Sequence, residues 1–440
     1  MKILPSDLQP FDRRVVTQEA RIAVIGVGYV GLPLALAYAR AGFKVTGIDV
    51  DPPKVAALNA GHSHVDDVPS SALAAEVSAG RFTATQDPGA LHSADVIFIC
   101  VPTPRTPNRE PDTSQIRAAA ESVAATLGSG QLIVLRSTSY PGTTEELVRP
   151  VLEGTSLRVG EDVFLAFAPE RVDPGRKDYT IANTPVLVGG CDPESTRRTQ
   201  LVLGRVVEHV VPMSSPAAAE MAKLLENVFR NVNIALVNQL AMLCDRMGLD
   251  VWEITRGAAT KPYGFLPFQP GPGVGGSCIP VDPYYLAWKA REFDFHMDFI
   301  ELAARVNDDM PYFVVTKLLL SLNGEHREAA ARVLLLGVTF KRDVADHRDS
   351  PALRIMQILR RRGVDVRYHD PYITALSVDG AVVDSQPLTA QTLAEADCVV
   401  ITTDHTAFDY GWITRCARRV FDTRNATAHV TEGREKILRL

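Results

Sequence analysis

The chain has 440 residues, of which 46% are hydrophobic and 22% are charged. This length and composition predict a folded protein of two or three domains. Lys and Arg total 46 and Asp and Glu total 52, so the formal net charge is −6. A mildly acidic chain argues against nucleic-acid or membrane-surface binding through bulk charge. The apolar run from Val96 to Val101 is far shorter than the ~20 residues of a membrane span, so none is predicted.

The first 20 residues lack the apolar core of a secretory signal, because Ser6, Asp7 and Asp12 interrupt them. We expect a frayed extension, with the fold beginning near Arg21. The six cysteines are scattered and follow no export signal, so they are expected to be thiols in a cytoplasmic protein.

Residues 21–52 predict one strand–helix–strand unit with a glycine-rich turn. Gly26, Gly28 and Gly31 have the G-x-G-x-x-G spacing, and Asp49 ends the second strand. Such glycines allow a tight turn, backbone approach to a pyrophosphate and close helix packing, while the acid bonds the ribose 2′-OH. The pattern therefore predicts an NAD site and disfavours NADP. The bare motif also occurs as a structural turn in unrelated α/β folds.

Further strands are predicted within 95–104, 131–144, 163–176 and 184–190, which together indicate a doubly wound parallel sheet. From residue 217 to 247, apolar residues recur every three or four positions, so we expect one long helix ending at Gly248. Its apolar surface covers more than one face, which predicts burial or a subunit interface. Glycines and prolines then fill a long loop, 259–286, followed by helices near 284–293 and 298–322.

The last third repeats the pattern of the first. Segments 331–341, 363–370 and 395–405 parallel the glycine turn, the strand ending in Asp49 and the strand at 93–103. Because the later glycines are missing, this copy should bind something other than a whole dinucleotide. The expected fold is α/β, with two Rossmann-like domains joined by a helical middle. The expected divisions are an extension (1–20), an NAD-binding domain (21–212), a central helical domain (213–325) and a C-terminal domain (326–440).

Four polar residues are candidates for chemistry. Cys278 lies in a glycine-rich loop and could act as a nucleophile, although a lone cysteine is more often inert. Lys223 and Asn227 lie four residues apart on the long helix and could hold an oxyanion, or form only a polar stripe. Asp282 could assist a proton transfer or cap a helix before Pro283. No metal site is predicted, because no partner ligands of recognisable spacing accompany the histidines and aspartates of residues 62–67.

Seven motifs in order resemble those of the UDP-glucose/GDP-mannose dehydrogenase family, the nucleotide-sugar 6-dehydrogenases. They span about residues 21–427 and read GVGYVGLPLA, VPTP, STSYPGTT, APERVDPG, EMAKLLEN, GPGVGGSCIPVDP and FKRDVADHRDSP. The loop around the cysteine looks most like the branch that oxidises UDP-N-acetylglucosamine. The resemblance implies NAD-dependent oxidation of the sugar C6 alcohol to an acid through a thioester on Cys278, for surface-polysaccharide synthesis.

The same resemblance implies residue roles and a partner. Catalytic roles fall to Cys278, Lys223, Asn227, Asp282, Thr138 and Glu170. Cofactor contacts are expected from Gly26, Gly28, Tyr29, Val30, Gly31, Asp49, Lys54, Pro102, Thr103, Thr138 and Arg348. The UDP-sugar is expected to contact Glu170, Arg171, Lys223, Asn227, Phe268, Gly271, Gly275 and Lys341. The family also implies a homodimer through the central helices.

Two departures from the family pattern keep alternatives open. Pro174 stands where the UDP-glucose branch has a second glutamate, and Ser277 stands where the N-acetylhexosamine branch usually has histidine. The sugar could therefore be UDP-N-acetylglucosamine, an N-acetyl epimer of it or UDP-glucose. A single-oxidation dehydrogenase and a catalytically silent NAD-binding scaffold are the other two readings.

Overall fold

A computed structural model of the chain describes residues 8–106, 108–173, 178–276, 278–322 and 331–440. Pro174 and Ser277, the two departures, lie outside these residues. The chain divides into two compact units, one of residues 1–226 and 288–294 and one of residues 227–287 and 295–440. The expected central domain is thus shared between them. No described helix is long and apolar enough to cross a membrane.

The first unit is built on an eight-stranded sheet whose order is β3-β2-β1-β4-β5-β6-β7-β8. Its strands are β1 (Arg21–Ile25), β2 (Lys44–Ile48), β3 (Phe82–Thr85), β4 (Val96–Ile99), β5 (Leu132–Leu135), β6 (Phe164–Phe167), β7 (Val186–Gly190) and β8 (Val210–Pro212). Its helices are α1 (Pro10–Val16), α2 (Gly31–Arg40), α3 (Pro52–Asn59), α4 (Ser70–Ser78), α5 (Ser114–Ala124), α6 (Arg149–Glu153) and α7 (Pro193–Leu203).

Alternate residues of these strands enter two different hydrophobic cores. Val24 belongs to one core and Ala23 to the other, and Phe98 and Ile97 alternate in the same way. Both faces of the sheet are therefore covered, as a doubly wound fold requires. The expected α/β class is confirmed, but an all-parallel sheet is wrong in one detail, because β7 runs antiparallel to β6. Hydrophobic runs of this length do not encode strand direction.

The expectation of a frayed extension before Arg21 is wrong for helix α1. Phe11 and Val15, four residues apart, are buried in the same core as β1. The carboxylate of Asp12 accepts two hydrogen bonds from the guanidinium of Arg197 on α7, at 2.9 and 3.0 Å. A two-residue apolar stripe and this pairing with Arg197 together dock the helix, and the stripe alone is too short to stand out from the sequence.

The long predicted helix is confirmed as α8 (Pro216–Met247), which begins in the first unit and continues into the second. Gly248 follows it with φ +67°, a left-handed conformation that ends helices and suits glycine. The helices that follow are α9 (Val251–Ala258), α10 (Asp282–Ala290) and α11 (Asp298–Leu322). No helix or strand occurs among the described residues between α9 and α10, as the glycine and proline content predicted.

The second sheet has the order β10-β9-β13-β14-β15, and all of its strands are parallel. Its strands are β9 (Arg332–Leu336), β10 (Asp365–His369), β13 (Cys398–Ile401), β14 (Val420–Asp422) and β15 (Ile437–Arg439), and β11 (Ala375–Val378) pairs with β12 (Ala381–Asp384) as a hairpin. Helices α12 (Pro351–Arg361), α13 (Ala390–Glu395) and α14 (Tyr410–Cys416) complete the unit. In the sequence, the segments of β10, β9 and β13 resemble those of β2, β1 and β4, respectively. Each set of three strands is adjacent in its own sheet, and the two sets have the same order, β2-β1-β4 and β10-β9-β13. This supports the predicted duplication.

Candidate active site

The glycine turn between β1 and α2 has the shape that a dinucleotide site requires. A Cβ atom on Gly26 would lie 2.7 Å from the carbonyl oxygen of Cys100, and one on Gly31 would lie 1.9 Å from that of Gly26. Both positions therefore exclude any side chain. A Cβ on Gly28 would meet nothing within 4 Å, so the backbone there faces open space. This is the arrangement in which a pyrophosphate can approach the start of a helix.

Charged groups collect at the end of β2, beside this turn. The carboxylate of Asp49 accepts from the backbone N–H of Val27 at 3.2 Å and pairs with Nζ of Lys54 at 2.9 Å. His64 lies close enough for Lys54 and Asp49 to affect its titration. Partial burial and repulsion by Lys54 lower the pKa of His64, against the attraction of Asp49. The structure thus brings the predicted Asp49 and Lys54 together and adds His64, which the sequence placed only in a polar loop.

The loops after β4 and β5 are held to each other near the glycine turn. The hydroxyl of Thr103 donates to the carbonyl of Thr138 at 2.6 Å, and Ser137 donates to the carbonyl of Val101 at 2.7 Å. Both predicted threonines therefore lie at the same edge of the sheet, where parallel strands end. The other predicted cofactor residues of this unit are Tyr29, Val30 and Pro102, of which Tyr29 and Pro102 are exposed.

Glu170 is held by protein groups on both carboxylate oxygens. Its Oε1 accepts from the backbone N–H groups of Arg171 and Val172, each at 2.8 Å, and its Oε2 accepts from Arg136 at 2.7 Å. Arg171 in turn pairs with Glu226 on α8 at 2.7 Å. Arg136 is a residue that the sequence analysis missed. Its side chain is only 3% exposed, which is unusual for an arginine and reflects this ion pair.

Glu220, a buried acid of the first unit, is another residue that the sequence analysis missed. Its carboxylate accepts from the backbone N–H groups of Gly142 and Thr144 and from the hydroxyl of Thr144, at 2.6 to 2.9 Å. Burial raises the pKa of Glu220 to about 7, against these hydrogen bonds. Glu220 therefore joins the start of α8 to the loop that follows Thr138.

In the second unit, three predicted catalytic residues come together at the start of α10. The carboxamide of Asn227 donates to the carboxylate of Asp282 at 2.5 Å, and both side chains are buried. The backbone N–H of Asp282 donates to the carbonyl of Cys278 at 2.8 Å, and so does that of Val281 at 3.0 Å. Cys278 thus lies one turn before α10, where the helix N-terminus favours an anionic group. Lys223 belongs to the first unit, one helical turn earlier on α8.

Cys278 also differs from the other five cysteines in exposure. Cys100, Cys244 and Cys398 are buried, Cys191 and Cys416 are partly buried, and only Cys278 is exposed. None of the six is in a disulfide, as predicted. Burial raises the pKa of Cys100, Cys191 and Cys398 to about 12, so these thiols are poor nucleophiles.

The predicted substrate loop packs closely against the C-terminal domain of its own unit. A Cβ atom on Gly275 would lie 2.7 Å from the carbonyl oxygen of Asp349, and one on Gly271 would lie 2.7 Å from the Arg424 guanidinium. The backbone N–H of Gly276 donates to the carbonyl of Arg348 at 3.0 Å. Gly275 therefore lets two backbone segments approach each other, and Gly271 lets the loop lie against the Arg424 side chain.

The remaining predicted residues of this unit are placed as follows. The ring of Phe268 packs edge-on against Phe229 of α8, with centroids 5.8 Å apart. The backbone carbonyl of Lys341 accepts from Thr339. Arg348, expected at the cofactor, lies in the second unit and pairs with Asp346 at 2.6 Å, whereas the glycine turn lies in the first.

Comparison with known proteins places this arrangement in one group. Three models of the UDP-glucose/GDP-mannose dehydrogenase family match, the NAD binding domain at residues 20–206, the central domain at 217–309 and the UDP binding domain at 334–429. A UDP-N-acetyl-D-glucosamine 6-dehydrogenase of Pseudomonas aeruginosa is 37% identical, covering 81% of this chain and 84% of its own. An NDP-N-acetyl-D-galactosaminuronic acid dehydrogenase of Ralstonia nicotianae is 35% identical over 90% of this chain and 93% of its own. The structure of a UDP-D-ManNAc dehydrogenase from Pyrococcus horikoshii superposes with a TM-score of 0.85 at 32% identity, covering 94% and 96% of the two chains.

Proposed function

The chain belongs to the UDP-glucose/GDP-mannose dehydrogenase family, an NAD-dependent group, and from this premise we propose which reaction it catalyses. We propose that it oxidises the C6 hydroxyl of a UDP-N-acetylhexosamine, UDP-N-acetylglucosamine in the first place, to the uronic acid. The observation that carries the proposal is the exposed Cys278 one turn before α10, with the bonded pair Asn227 and Asp282 beside it.

NAD, when bound, supplies the acceptor for the hydride that each oxidation removes from C6. The first unit offers the groups that would hold it: the open backbone at Gly28 for the pyrophosphate, and Asp49 with Lys54 for the ribose. A carboxylate at Asp49 would repel a 2′-phosphate, which agrees with NAD rather than NADP.

Cys278 makes the second oxidation possible. Its thiolate adds to the C6 aldehyde and forms a C–S bond, and the aldehyde oxygen becomes an alkoxide. Loss of hydride from that carbon leaves a thioester. Water then attacks the thioester, the C–S bond breaks, and the uronic acid and the thiolate are released. In this proposal Lys223 and Asn227 stabilise the negative oxygen and Asp282 accepts a proton from the water.

Thr138 and Glu170 receive different roles in the proposal. Thr138 lies on the loop after β5, and its carbonyl accepts a hydrogen bond from the hydroxyl of Thr103. In the proposal Thr138 contacts the reacting end of the cofactor. Both oxygens of Glu170 already accept from protein donors. We therefore assign Glu170 and Arg171 to shaping the loop that binds the sugar.

The NADH formed per molecule of limiting nucleotide sugar tests the function and the mechanism together. The assay compares UDP-N-acetylglucosamine, UDP-N-acetylmannosamine, UDP-N-acetylgalactosamine, UDP-glucose and GDP-mannose. With the wild-type protein we expect two NADH for each molecule of the physiological sugar. With Cys278→Ala we expect no uronic acid to form. Cys416→Ala, a change at a partly buried cysteine, is the matched control and should behave as the wild type.

One NADH per sugar would contradict the thioester route, because a released aldehyde is the product of a single oxidation. No NADH from any of these sugars would favour a catalytically silent NAD-binding scaffold. A second candidate substrate is UDP-N-acetylmannosamine. Similarity to the Pyrococcus horikoshii enzyme favours it, and the same assay separates the two sugars.

We also propose that the protein is a homodimer through the central helices. Phe229, Leu236, Leu243 and Met247 lie along α8 within the second unit, and each is 46 to 61% exposed. Four large apolar side chains on one helix are more than a monomer usually leaves in contact with water. A second copy that presents the same face would bury them.

A further inference from the structure

Three buried asparagines have no role in the reaction proposed above. Asn231 and Asn238 lie on α8, Asn307 lies on α11, and their exposed fractions are 3%, 0% and 5%. A buried amide without hydrogen bonds destabilises a fold, so the partners of these side chains are informative.

The three amides form one continuous chain of hydrogen bonds. The backbone N–H of Gly271 donates to Oδ1 of Asn238 at 2.9 Å, and Nδ2 of Asn238 donates to Oδ1 of Asn307 at 2.9 Å. Nδ2 of Asn307 donates to Oδ1 of Asn231 at 3.1 Å, and Nδ2 of Asn231 donates to the carbonyl of Ile279 at 2.8 Å. Turning any one amide over would bring two donors together, so the chain fixes all three orientations. Bonds that point in the same direction also polarise one another.

Both ends of the chain lie on the same loop. Gly271 lies near the middle of the segment between α9 and α10, and Ile279 directly follows Cys278. No described residue between Gly271 and Ile279 is in a helix or strand. The described residues of the loop therefore have no ladder of helix or strand hydrogen bonds, although the N–H of Gly276 donates to the carbonyl of Arg348. Apolar packing could join α8 to α11 without amides, but it could not satisfy one N–H and one carbonyl eight residues apart on a loop.

We propose that Asn231, Asn238 and Asn307 form a positioning relay that holds the described loop residues 271–276 and 278–279 in the conformation presenting Cys278. They are positioning residues, since they act through the loop and not on the substrate. The catalytic consequence rests on the proposed function, whereas the effect on the loop does not.

The test uses full-length variants that break the relay at different points. Asn238→Leu removes the acceptor of the Gly271 N–H, and Asn307→Leu removes the middle of the chain. Asn307→Asp keeps the size of the side chain and the acceptor for Asn238 but removes the donor to Asn231. Asn233→Leu is the matched control on the same helix, where the amide donates to the carbonyl of Phe229 within the helix itself.

Hydrogen–deuterium exchange of the loop, alkylation of Cys278 by iodoacetamide and steady-state kinetics are measured for each variant. In Asn238→Leu and Asn307→Leu we expect exchange in the loop to become about tenfold faster, the effect of losing one buried hydrogen bond. We also expect a changed alkylation rate and a kcat lowered at least about tenfold, with KM for NAD unchanged. The control should match the wild type in all three. If the leucine variants do not fold, Asn307→Asp should show the changed alkylation rate and the lowered kcat.

Unchanged loop exchange and alkylation in variants that fold would overturn the relay. Faster exchange with a wild-type kcat would overturn its role in positioning Cys278. If the wild type formed no NADH from any nucleotide sugar, the proposed function would fail by itself, and the exchange and alkylation data would still decide whether the relay holds the loop.

Discussion

Glu220 should make the stability of the first unit depend on pH in a defined direction. Its side chain is 1% exposed, and burial raises its pKa from the usual 4.5 to about 7. The unfolded chain therefore releases this proton near pH 4.5 and the folded chain near pH 7. The stability that comes from the protonated form is complete below pH 4.5 and is lost as pH rises through 7.

The size of the effect follows from the two pKa values. At about 1.36 kcal/mol for each pKa unit, the free energy of unfolding should fall by about 3 kcal/mol across this range from Glu220 alone. Glu220→Gln removes the titration, so the stability of the wild type relative to this variant should be about 2.5 kcal/mol greater at pH 5 than at pH 8, because at pH 5 most of the unfolded chain has already lost the proton. Comparison with the variant cancels the titration of histidines and other groups common to both proteins.

Calorimetric unfolding between pH 5 and 8 measures this difference. The transition of the first unit is the one that bound NAD shifts to higher temperature, since ligands stabilise the unit that binds them. Glu121→Gln, at an exposed acid on α5, is the control and should show no such trend. A difference that stays constant from pH 5 to 8 would refute the reasoning. It would mean that the three hydrogen bonds from Gly142 and Thr144 keep the carboxylate ionised throughout.

Three further predictions follow from the geometry. Gly28→Ala should leave the melting temperature nearly unchanged but raise KM for NAD at least about tenfold, whereas Gly31→Ala should destabilise the fold, because its Cβ would lie 1.9 Å from a carbonyl oxygen. Equal effects of the two variants on melting temperature would contradict this account. Asn227→Asp replaces a donor 2.5 Å from Asp282 with a second carboxylate and should lower kcat by about 10²-fold or more, so near-normal turnover would exclude Asn227 from the reaction. Leu236→Asp with Leu243→Asp should convert the proposed dimer into a monomer in sedimentation velocity, and an unchanged sedimentation coefficient would place the subunit contact elsewhere.

The sequence predicts the fold well where local patterns determine the structure. The glycine turn, the end of α8 at Gly248 and the irregular segment before α10 each depend on residues close in the chain, and the structure has all three. Strand direction does not depend on local pattern, which explains why the antiparallel β7 was missed. Helix α1 was missed for a related reason, since its docking depends on Arg197, 185 residues away from Asp12.

Among the site residues, too, those that depend on neighbours in the chain were predicted, and those that depend on distant segments were not. Cys278 and Asp282 are four residues apart, so one turn of backbone brings them together. Arg136, the partner of Glu170, and Asn307, the partner of Asn231, lie far from these residues in the sequence. An arginine or an asparagine does not by itself predict such a role. An arginine or asparagine in the sequence is most often a solvated surface residue. Only burial shows that these side chains must be hydrogen-bonded, and only the fold shows which group each one holds.

The contrast between Gly28 and Gly31 shows how far a motif can be interpreted without a ligand. Both belong to the same G-x-G-x-x-G pattern, and from the sequence they differ only in position. In the structure, space for a Cβ is absent at Gly31 and present at Gly28, although Gly28 has no left-handed φ that would require glycine. Folding therefore explains the residue at Gly31 but not the one at Gly28. We propose that glycine occurs at position 28 because a ligand occupies the open space, and a pyrophosphate in contact with the backbone at the start of α2 is the group that fits an NAD-binding domain.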